Sequence, residues 1–188
     1  MKVWMIRHGE SETNQNGFWT GWLDVPLTQK GESDATLARE ILSKVKFDTV
    51  YSSDLMRARR TAEIALPGCE YTTMPMLREI NVGSIAGKPL AVILDENNRP
   101  MNTDGYGRFG GESTEEFRER VLTFMKCLEN EDCENIAIFT HAGFVRRMVD
   151  IVLGVNIPRK NLICDNCVVA VFEYQNSHWR LHSWMNLR

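Results

Sequence analysis

The sequence predicts an α/β protein, a three-layer α/β/α sandwich about a mostly parallel central sheet. Two apolar runs of strand type, Val3-Trp4-Met5-Ile6 and Ile136-Ala137-Ile138-Phe139-Thr140, read as buried strands. Between and after them, helical stripes alternate with strand runs, the βαβ rhythm of a layered domain. Each of the two runs also delivers a histidine to its end, in Arg7-His8-Gly9-Glu10 and in His141-Ala142-Gly143. In open parallel sheets ligands bind outside the carboxyl ends of the strands, where helix N-termini offer free N–H groups to anions. A glycine near each histidine would let backbone approach such a ligand closely. The chain has only four histidines, so two in one context point to a site.

The remaining elements follow in order. Thr28 is placed to cap a helix of about four turns, because Ala35, Ala38, Ile41, Leu42 and Val45 recur at helical spacing. Thr49-Val50-Tyr51-Ser52 is a short strand, after which Ser53 or Asp54 caps a helix with the stripe Leu55, Ala58, Ala62 and Ala65. Pro67-Gly68 ends that helix, and residues 70–74 read as a further strand. Residues 95–111 hold Asn97, Asn98, Pro100, Gly105, Gly107, Gly110 and Gly111 with few large apolar side chains, which predicts a mobile surface loop, either a lid over the crevice or a passive connection. Ser113-Thr114-Glu115-Glu116 is a capping box, and Phe117, Val121, Phe124 and Leu128 form the buried stripe of the long helix behind it. A helix over residues 144–153 follows the second histidine, and residues 168–174 and 178–184 form a hairpin around Gln175-Asn176-Ser177 at one side of the sheet.

Length and composition bound the partners. A chain of 188 residues with 43% hydrophobic content is expected to form a single domain over 1–188. No run is long enough for a membrane span or a signal peptide, which predicts a cytoplasmic protein with no membrane partner. Five cysteines, an odd number, fit reduced thiols better than a disulfide framework. A net charge of −3 argues against nucleic-acid binding, so any anion preference must come from local arginines.

Several patterns imitate other chemistries. Gly105-Tyr106-Gly107-Arg108-Phe109-Gly110 has the dinucleotide spacing but no strand before it, and Gly83-Ser84-Ile85-Ala86-Gly87-Lys88 is one residue short of a phosphate loop and is followed by Pro89. Cys164-Asp165-Asn166-Cys167 has metal-ligand spacing without a second ligand pair, so no metal is expected there. No cysteine is followed at the sixth position by arginine, as a cysteine-nucleophile phosphatase requires.

Five ordered motifs, Arg7-His8-Gly9-Glu10-Ser11-Glu12-Thr13-Asn14, Thr20-Gly21-Trp22-Leu23-Asp24-Val25-Pro26-Leu27-Thr28 with Gly31, Ser52-Ser53-Asp54-Leu55-Met56-Arg57-Ala58, Leu77-Arg78-Glu79 and His141-Ala142-Gly143, resemble the histidine phosphatase superfamily, in its phosphoglycerate-mutase-like branch. The resemblance covers most of the chain. It implies that His8 is a nucleophile that becomes a phosphohistidine without metal or other cofactor. Arg7, Arg57 and His141 are then a cationic cage for the phosphoryl oxygens, and Asn14 adds an uncharged donor. Arginine suits the task because its fixed fork meets phosphate oxygens in pairs. Arg57 falls in the first turn of its helix, whose N-terminus reinforces the site. Arg59 turns away from Arg57 and is expected to be a solvated surface charge. Glu79 is implied as proton donor to the leaving alkoxide and then as the base that activates water. The acid-phosphatase branch places an aspartate directly after its second histidine, whereas this chain has Ala142. Thr20 and Gly21 are assigned to substrate contact, with Trp19 and Trp22 as walls.

The same resemblance leaves the reaction to be chosen. Mutases of the family carry a long insertion with arginines that grip a substrate carboxylate, while here only residues 80–110 fill that interval, with Arg99 and Arg108 available. The expectation is a phosphatase for a small phosphorylated metabolite: a sugar phosphate, phosphoglycerate or a nucleoside-type phosphate such as α-ribazole phosphate. A phosphoglycerate mutase is the enzyme alternative, kept open by Thr20-Gly21-Trp22. A catalytically silent member that binds a phosphorylated ligand or a protein partner is the other. The sequence leaves the oligomeric state open.

Overall fold

The computed structural model describes residues 1–91 and 104–187. Six strands, β1 (Lys2–Arg7), β2 (Thr49–Ser52), β3 (Thr72–Thr73), β4 (Asn135–Thr140), β5 (Val169–Gln175) and β6 (His178–Met185), form one sheet in the order β3-β2-β4-β1-β5-β6. The pairs from β3 to β1 are parallel, and the terminal hairpin adds β5 and β6 antiparallel. Helices cover both faces, as the alternation of side chains along the strands requires. Val3, Met5, Ile136, Ile138, Ala170 and Phe172 meet Phe117, Phe124, Phe144 and Met148 of α4 (Thr114–Leu128) and α5 (Ala142–Leu153). On the other face Ile6, Ala137, Phe139, Val169 and Val171 meet Ala35, Ala38, Leu42, Ala62 and Ala65 of α2 (Gln29–Leu42) and α3 (Met56–Ala65). Small alanines on that second pair of helices let them lie close to the sheet and to each other.

Local chemistry sets most boundaries. The Thr28 hydroxyl accepts the Gly31 N–H at the start of α2, and Ser113 with Glu116 closes a reciprocal capping box on α4. Four boundaries differ from the sequence reading. Helix α2 stops at Leu42, leaving Val45 in the following turn. Helix α3 is entered through Leu55 with no side-chain cap, because Ser53 faces His141 and Asp54 is taken by Arg78. Helix α5 begins at Ala142, directly after His141, rather than at 144. The strand expected over 70–74 is only Thr72–Thr73, paired to the end of β2. One helix was not anticipated: α1 (Glu12–Gln15), a single turn closed by a capping box between Ser11 and Asn14.

The loop expected over 95–111 lies partly outside the described residues, as does Arg99. Its described end is not a bare surface strand of polar residues. Gly105 bridges to Ser113, residues Gly107–Phe109 make a 3-10 turn, and Tyr106 is buried with its ring 5.7 Å from that of Trp19. The dinucleotide-like run itself holds a 3-10 turn at Gly107–Phe109, and Gly83–Ile85 is likewise a 3-10 turn. Among the described residues no helix is long and apolar enough to cross a membrane, and no group of three potential metal ligands gathers.

Candidate active site

The two histidines meet because their strands are neighbours. Arg7 lies opposite Thr140 in the parallel β1–β4 ladder, so His8 and His141 leave the sheet together, and the His8 N–H still donates to the Thr140 carbonyl at 3.0 Å. Their ring centroids are 5.1 Å apart with planes inclined at 62°. Both side chains are buried.

The contacts of His8 decide its tautomer. Nδ1 lies 2.7 Å from the Gly9 carbonyl, which can only accept, so Nδ1 carries the proton. Nε2 is then the ring's lone-pair atom, and Arg57 Nε donates to it at 3.2 Å. Burial pushes the His8 pKa well below 6.5, with Arg57 and Arg7 adding to the shift and the Gly9 carbonyl opposing it. His8 is therefore neutral at neutral pH, with its lone pair on the atom that faces the guanidinium.

Arg57 is the largest fully buried side chain among the described residues. Its other nitrogens donate to the Leu23 and Gly21 carbonyls at 2.8 and 2.9 Å, which ties the 21–24 segment to α3. Burial lowers its pKa to about 10, still charged at neutral pH. Arg7 donates to the Cys164 carbonyl, while its buried Nε has no protein partner. His141 bonds through Nε2 to the Ser53 hydroxyl at 2.9 Å and has an unpartnered, buried Nδ1. Burial, then Arg57 and His8, hold the His141 pKa well below 6.5. It enters the site as a neutral ring and not as the cation expected from the sequence, because burial, reinforced by the neighbouring Arg57, disfavours its charged form.

Glu79 comes from the segment after a 3-10 turn at Pro75–Leu77. Its two carboxylate oxygens accept the Ile80 and Gly143 N–H groups at 2.9 and 3.0 Å, the second in the first turn of α5. The backbone of the segment is clamped from below. Arg120 donates to the carbonyls of Met76, Arg78 and Glu79 at 2.8, 2.8 and 3.1 Å, and its own charge is met by both oxygens of Glu112. From above, Trp22 Nε1 donates to the Glu79 carbonyl at 2.7 Å, and the Arg78 guanidinium stacks 4.9 Å from the Trp22 ring while pairing with Asp54.

Arg7, Asn14, Thr20, Gly21 and Glu79 line one cleft of about 240 Å³, together with Trp19. The Asn14 carbonyl oxygen is engaged by Ser11 and Asn166, so its NH₂ group is what it can offer a ligand. Thr20 shares a 2.6 Å hydrogen bond with Thr13. The eight site residues expected from the sequence are thus brought to one place, His8, Arg57 and His141 through direct contacts and the others around this cleft. The glycines do a different job from the one expected. A Cβ on Gly9 would strike the Gly31 carbonyl, and one on Gly143 would sit 2.0 Å from Glu79 Oε1, so they make room for protein groups.

Arg120 and Asn166 were not singled out by the sequence reading, and Ser53 and Trp22 were given other roles there, a helix cap and a wall of the site. Asn166 Nδ2 donates to the His8 carbonyl at 3.1 Å, from the turn that enters β5 beside β1. That neighbour is the only signal a sequence could offer for it, since a strand pairing with β1 must bring its entry turn near His8. Arg59 is not the solvated charge expected: it is half-buried with an unpartnered Nε, while Arg60 is the exposed one, paired with Glu32 at 2.7 Å. Trp22 is a bracket on the Glu79 segment, whereas Trp19 is a wall of the cleft. Arg108 lies over the Phe109 ring in its 3-10 turn. Cys164 and Cys167 are buried free thiols.

Known proteins resemble this chain in sequence and in fold. A family model of the histidine phosphatase superfamily (branch 1) matches residues 3–187. A relative in Salmonella choleraesuis, named as a probable phosphoglycerate mutase GpmB, is 30% identical over 98% of this chain and 90% of its own. A solved protein of Thermus thermophilus is 34% identical with a TM-score of 0.73, covering 96% of this chain and 98% of its own. The α-ribazole phosphatase of Shigella flexneri shares the fold at a TM-score of 0.88 and 24% identity, over 100% of this chain and 97% of its own.

Proposed function

The chain belongs to branch 1 of the histidine phosphatase superfamily, and from that membership we propose that it hydrolyses small phosphomonoesters through a phosphohistidine on His8. The observation that carries the reading is the state of His8: Nδ1 pinned to the Gly9 carbonyl, Nε2 unprotonated and held next to a buried arginine. In the first step Nε2 forms a bond to phosphorus as the bond to the alcohol oxygen breaks. Arg7, Arg57, His141 and Asn14 hold the phosphoryl oxygens while charge moves across them. Glu79 gives its proton to the departing alkoxide. In the second step it takes a proton from water as the water oxygen attacks phosphorus and the P–N bond breaks, returning neutral His8 and inorganic phosphate. Thr20 and Gly21 contact the alcohol portion.

The short interval over 80–110 supports hydrolysis over transfer to a second hydroxyl, because it leaves little chain to seal the phosphohistidine from water. The name of the Salmonella relative supports the second reading, a mutase working on phosphoglycerate with the same histidine. Five free thiols support a cytoplasmic enzyme.

Turnover of 4-nitrophenyl phosphate without added metal is the test. Phosphate release is expected from the native chain and not from His8→Ala, which should lose on the order of 10³-fold or more. A His8→Ala variant as active as the native chain would refute the nucleophile. Conversion of 3-phosphoglycerate to 2-phosphoglycerate faster than phosphate release would replace hydrolysis by the mutase reading. Silence across a broad panel of phosphomonoesters would favour a binding protein.

A further inference from the structure

We propose that Asn166 is a positioning residue for phosphoryl binding: from the turn that enters β5, its side-chain amide aims the NH₂ group of Asn14 at the phosphoryl oxygens, with the His8 carbonyl as its fixed point. The inference rests on the phosphatase reading of the site. It starts from Cys164-Asp165-Asn166-Cys167, a pattern with the spacing of a metal site and no second pair of ligands. The structure gives those four residues another task. Burial pushes the Cys167 thiol up to about 12, so it stays neutral, and it packs with Ile6, Phe139 and Val169 as an apolar anchor. The polar atoms of the turn reach the residues that meet the phosphoryl group.

Cys164 offers its carbonyl to Arg7, and the Cys167 N–H reaches the His8 carbonyl at 3.4 Å. Between them, Asn166 Nδ2 donates to the same His8 carbonyl at 3.1 Å and to Asn14 Oδ1 at 3.3 Å. A primary amide nitrogen has two hydrogens, one for each of those acceptors, and no charge. Serine would supply one donor, and lysine would add a cation to a site already lined by two arginines. The fixed point is itself held from the far side. The Gly9 N–H donates to the Thr61 hydroxyl at 3.0 Å, so the peptide between His8 and Gly9 is pinned at both ends, and the Gly9 carbonyl beyond it is the acceptor for His8 Nδ1.

The backbone of the turn is strained. Cys167 has a φ of 57°, in the left-handed region that residues with a side chain rarely adopt. Asn186 fastens the turn from outside, its Oδ1 accepting the Asp165 N–H at 3.2 Å. Strain of that kind persists where surrounding contacts over-determine it, and it gathers at functional sites. For Asn14 the consequence is orientation. Its Oδ1 accepts from the Ser11 N–H and from Asn166, each at 3.3 Å, which leaves the NH₂ group for a ligand. With Asn166 truncated, a single long bond works against the broad χ2 torsion of asparagine, and the amide is free to turn its oxygen toward the phosphoryl anion. The His8 carbonyl suffers less, because it keeps the Cys167 N–H.

Asn166→Ala, Asn14→Ala and the double variant test the link with two probes. Turnover is read on 4-nitrophenyl phosphate, and binding is read by calorimetry on orthovanadate, which takes the five-coordinate shape of a transferring phosphoryl group. Asn166→Ala is expected to melt within a few degrees of the native protein, to lose about 10- to 100-fold in kcat/KM and to bind orthovanadate more weakly by a similar factor. In the Asn14→Ala background the same substitution should cost no more than about threefold, because the group it orients is gone. Losses that multiply in the double variant would overturn the link to Asn14, and native kcat/KM with native orthovanadate affinity in Asn166→Ala would overturn the positioning role. A lowered melting temperature with unchanged kcat/KM per folded molecule would assign Asn166 to support of the fold and end the proposal. If the alanine variant does not fold, Asn166→Ser in the two backgrounds carries the same comparison with one donor kept. All of these failures leave native turnover, and with it the phosphatase reading, intact. A native chain inert to every ester, whose orthovanadate binding still falls in Asn166→Ala, would end that reading and keep the positioning role.

Discussion

Gly143 shows how much of the site depends on one missing methyl. The glycine sits in the first turn of α5, where its N–H holds Glu79 and where a Cβ would overlap Glu79 Oε1. Alanine is the better helix former by about 1 kcal/mol, so propensity alone would make Gly143→Ala a stabilising change. Sterics act instead on the carboxylate, which must swing off its two backbone donors. Gly143→Ala is therefore expected to melt within a few degrees of the native protein while kcat for 4-nitrophenyl phosphate falls by about 10²-fold. A variant with native kcat would show that the placement of Glu79 is not limiting. At this scale the sequence was informative where chemistry follows strand ends. His8 and His141 could be placed from two apolar runs, and Arg57 from the resemblance of the Ser52–Ala58 motif to the family's. The protonation of His141 could not, because its low pKa arises from burial beside Arg57 and His8, groups distant in the chain.

Elements meet around Glu79 through Arg120. This side chain of α4 ties the 76–79 backbone to the helix and is itself neutralised by Glu112, with both side chains only 16% exposed. Breaking such a pair leaves a carboxylate facing low dielectric, so Arg120→Gln should destabilise the fold by about 3 kcal/mol in urea denaturation. Replacing both partners, Arg120→Met with Glu112→Leu, should recover much of that stability because the desolvated charges vanish together. It should not recover kcat, since the three carbonyls lose their common donor. Recovery of both would reduce Arg120 to a packing role. Nothing in the sequence marks this clamp. The bond from Arg120 to Glu79 spans 41 residues and that from Trp22 spans 57, and neither follows a helical or strand period. Helices with strong stripes and caps, such as α4, were legible almost to the residue. The entry to α3 was not, because Ser53 and Asp54, both good caps, are drawn away by His141 and Arg78.

At the scale of the whole molecule, two buried imidazoles make stability depend on pH. Folding lowers the pKa of both His8 and His141 from the ordinary 6.5, chiefly by burial. Below that value the unfolded chain takes up protons that the native chain refuses, so acid favours unfolding. Each ring should remove about 1.4 kcal/mol per pH unit below 6.5 and leave stability level above it. Urea midpoints at about pH 7.5 and about pH 5.5 should differ accordingly, and the difference should shrink in a His8→Asn, His141→Asn double variant. A native midpoint indifferent to pH over that interval would contradict the buried, neutral rings. The layered architecture itself was readable from alternating strand and helix signals. The order of the strands was not, because pairing joins segments far apart in the chain.

That order has a consequence for how the chain comes to life. β1, which precedes the other five strands in the chain, lies in the middle of the sheet, between β4, which begins at Asn135, and β5, which begins at Val169. Until both have been synthesised, its apolar ribbon has no neighbour on either edge. Contacts of such high order slow folding and lengthen the exposure of sticky intermediates. His8 and His141 come together only once that central pair has zipped. The candidate site therefore forms only after β4 has joined β1, and a nascent fragment that stops short of β4 carries His8 without its neighbour.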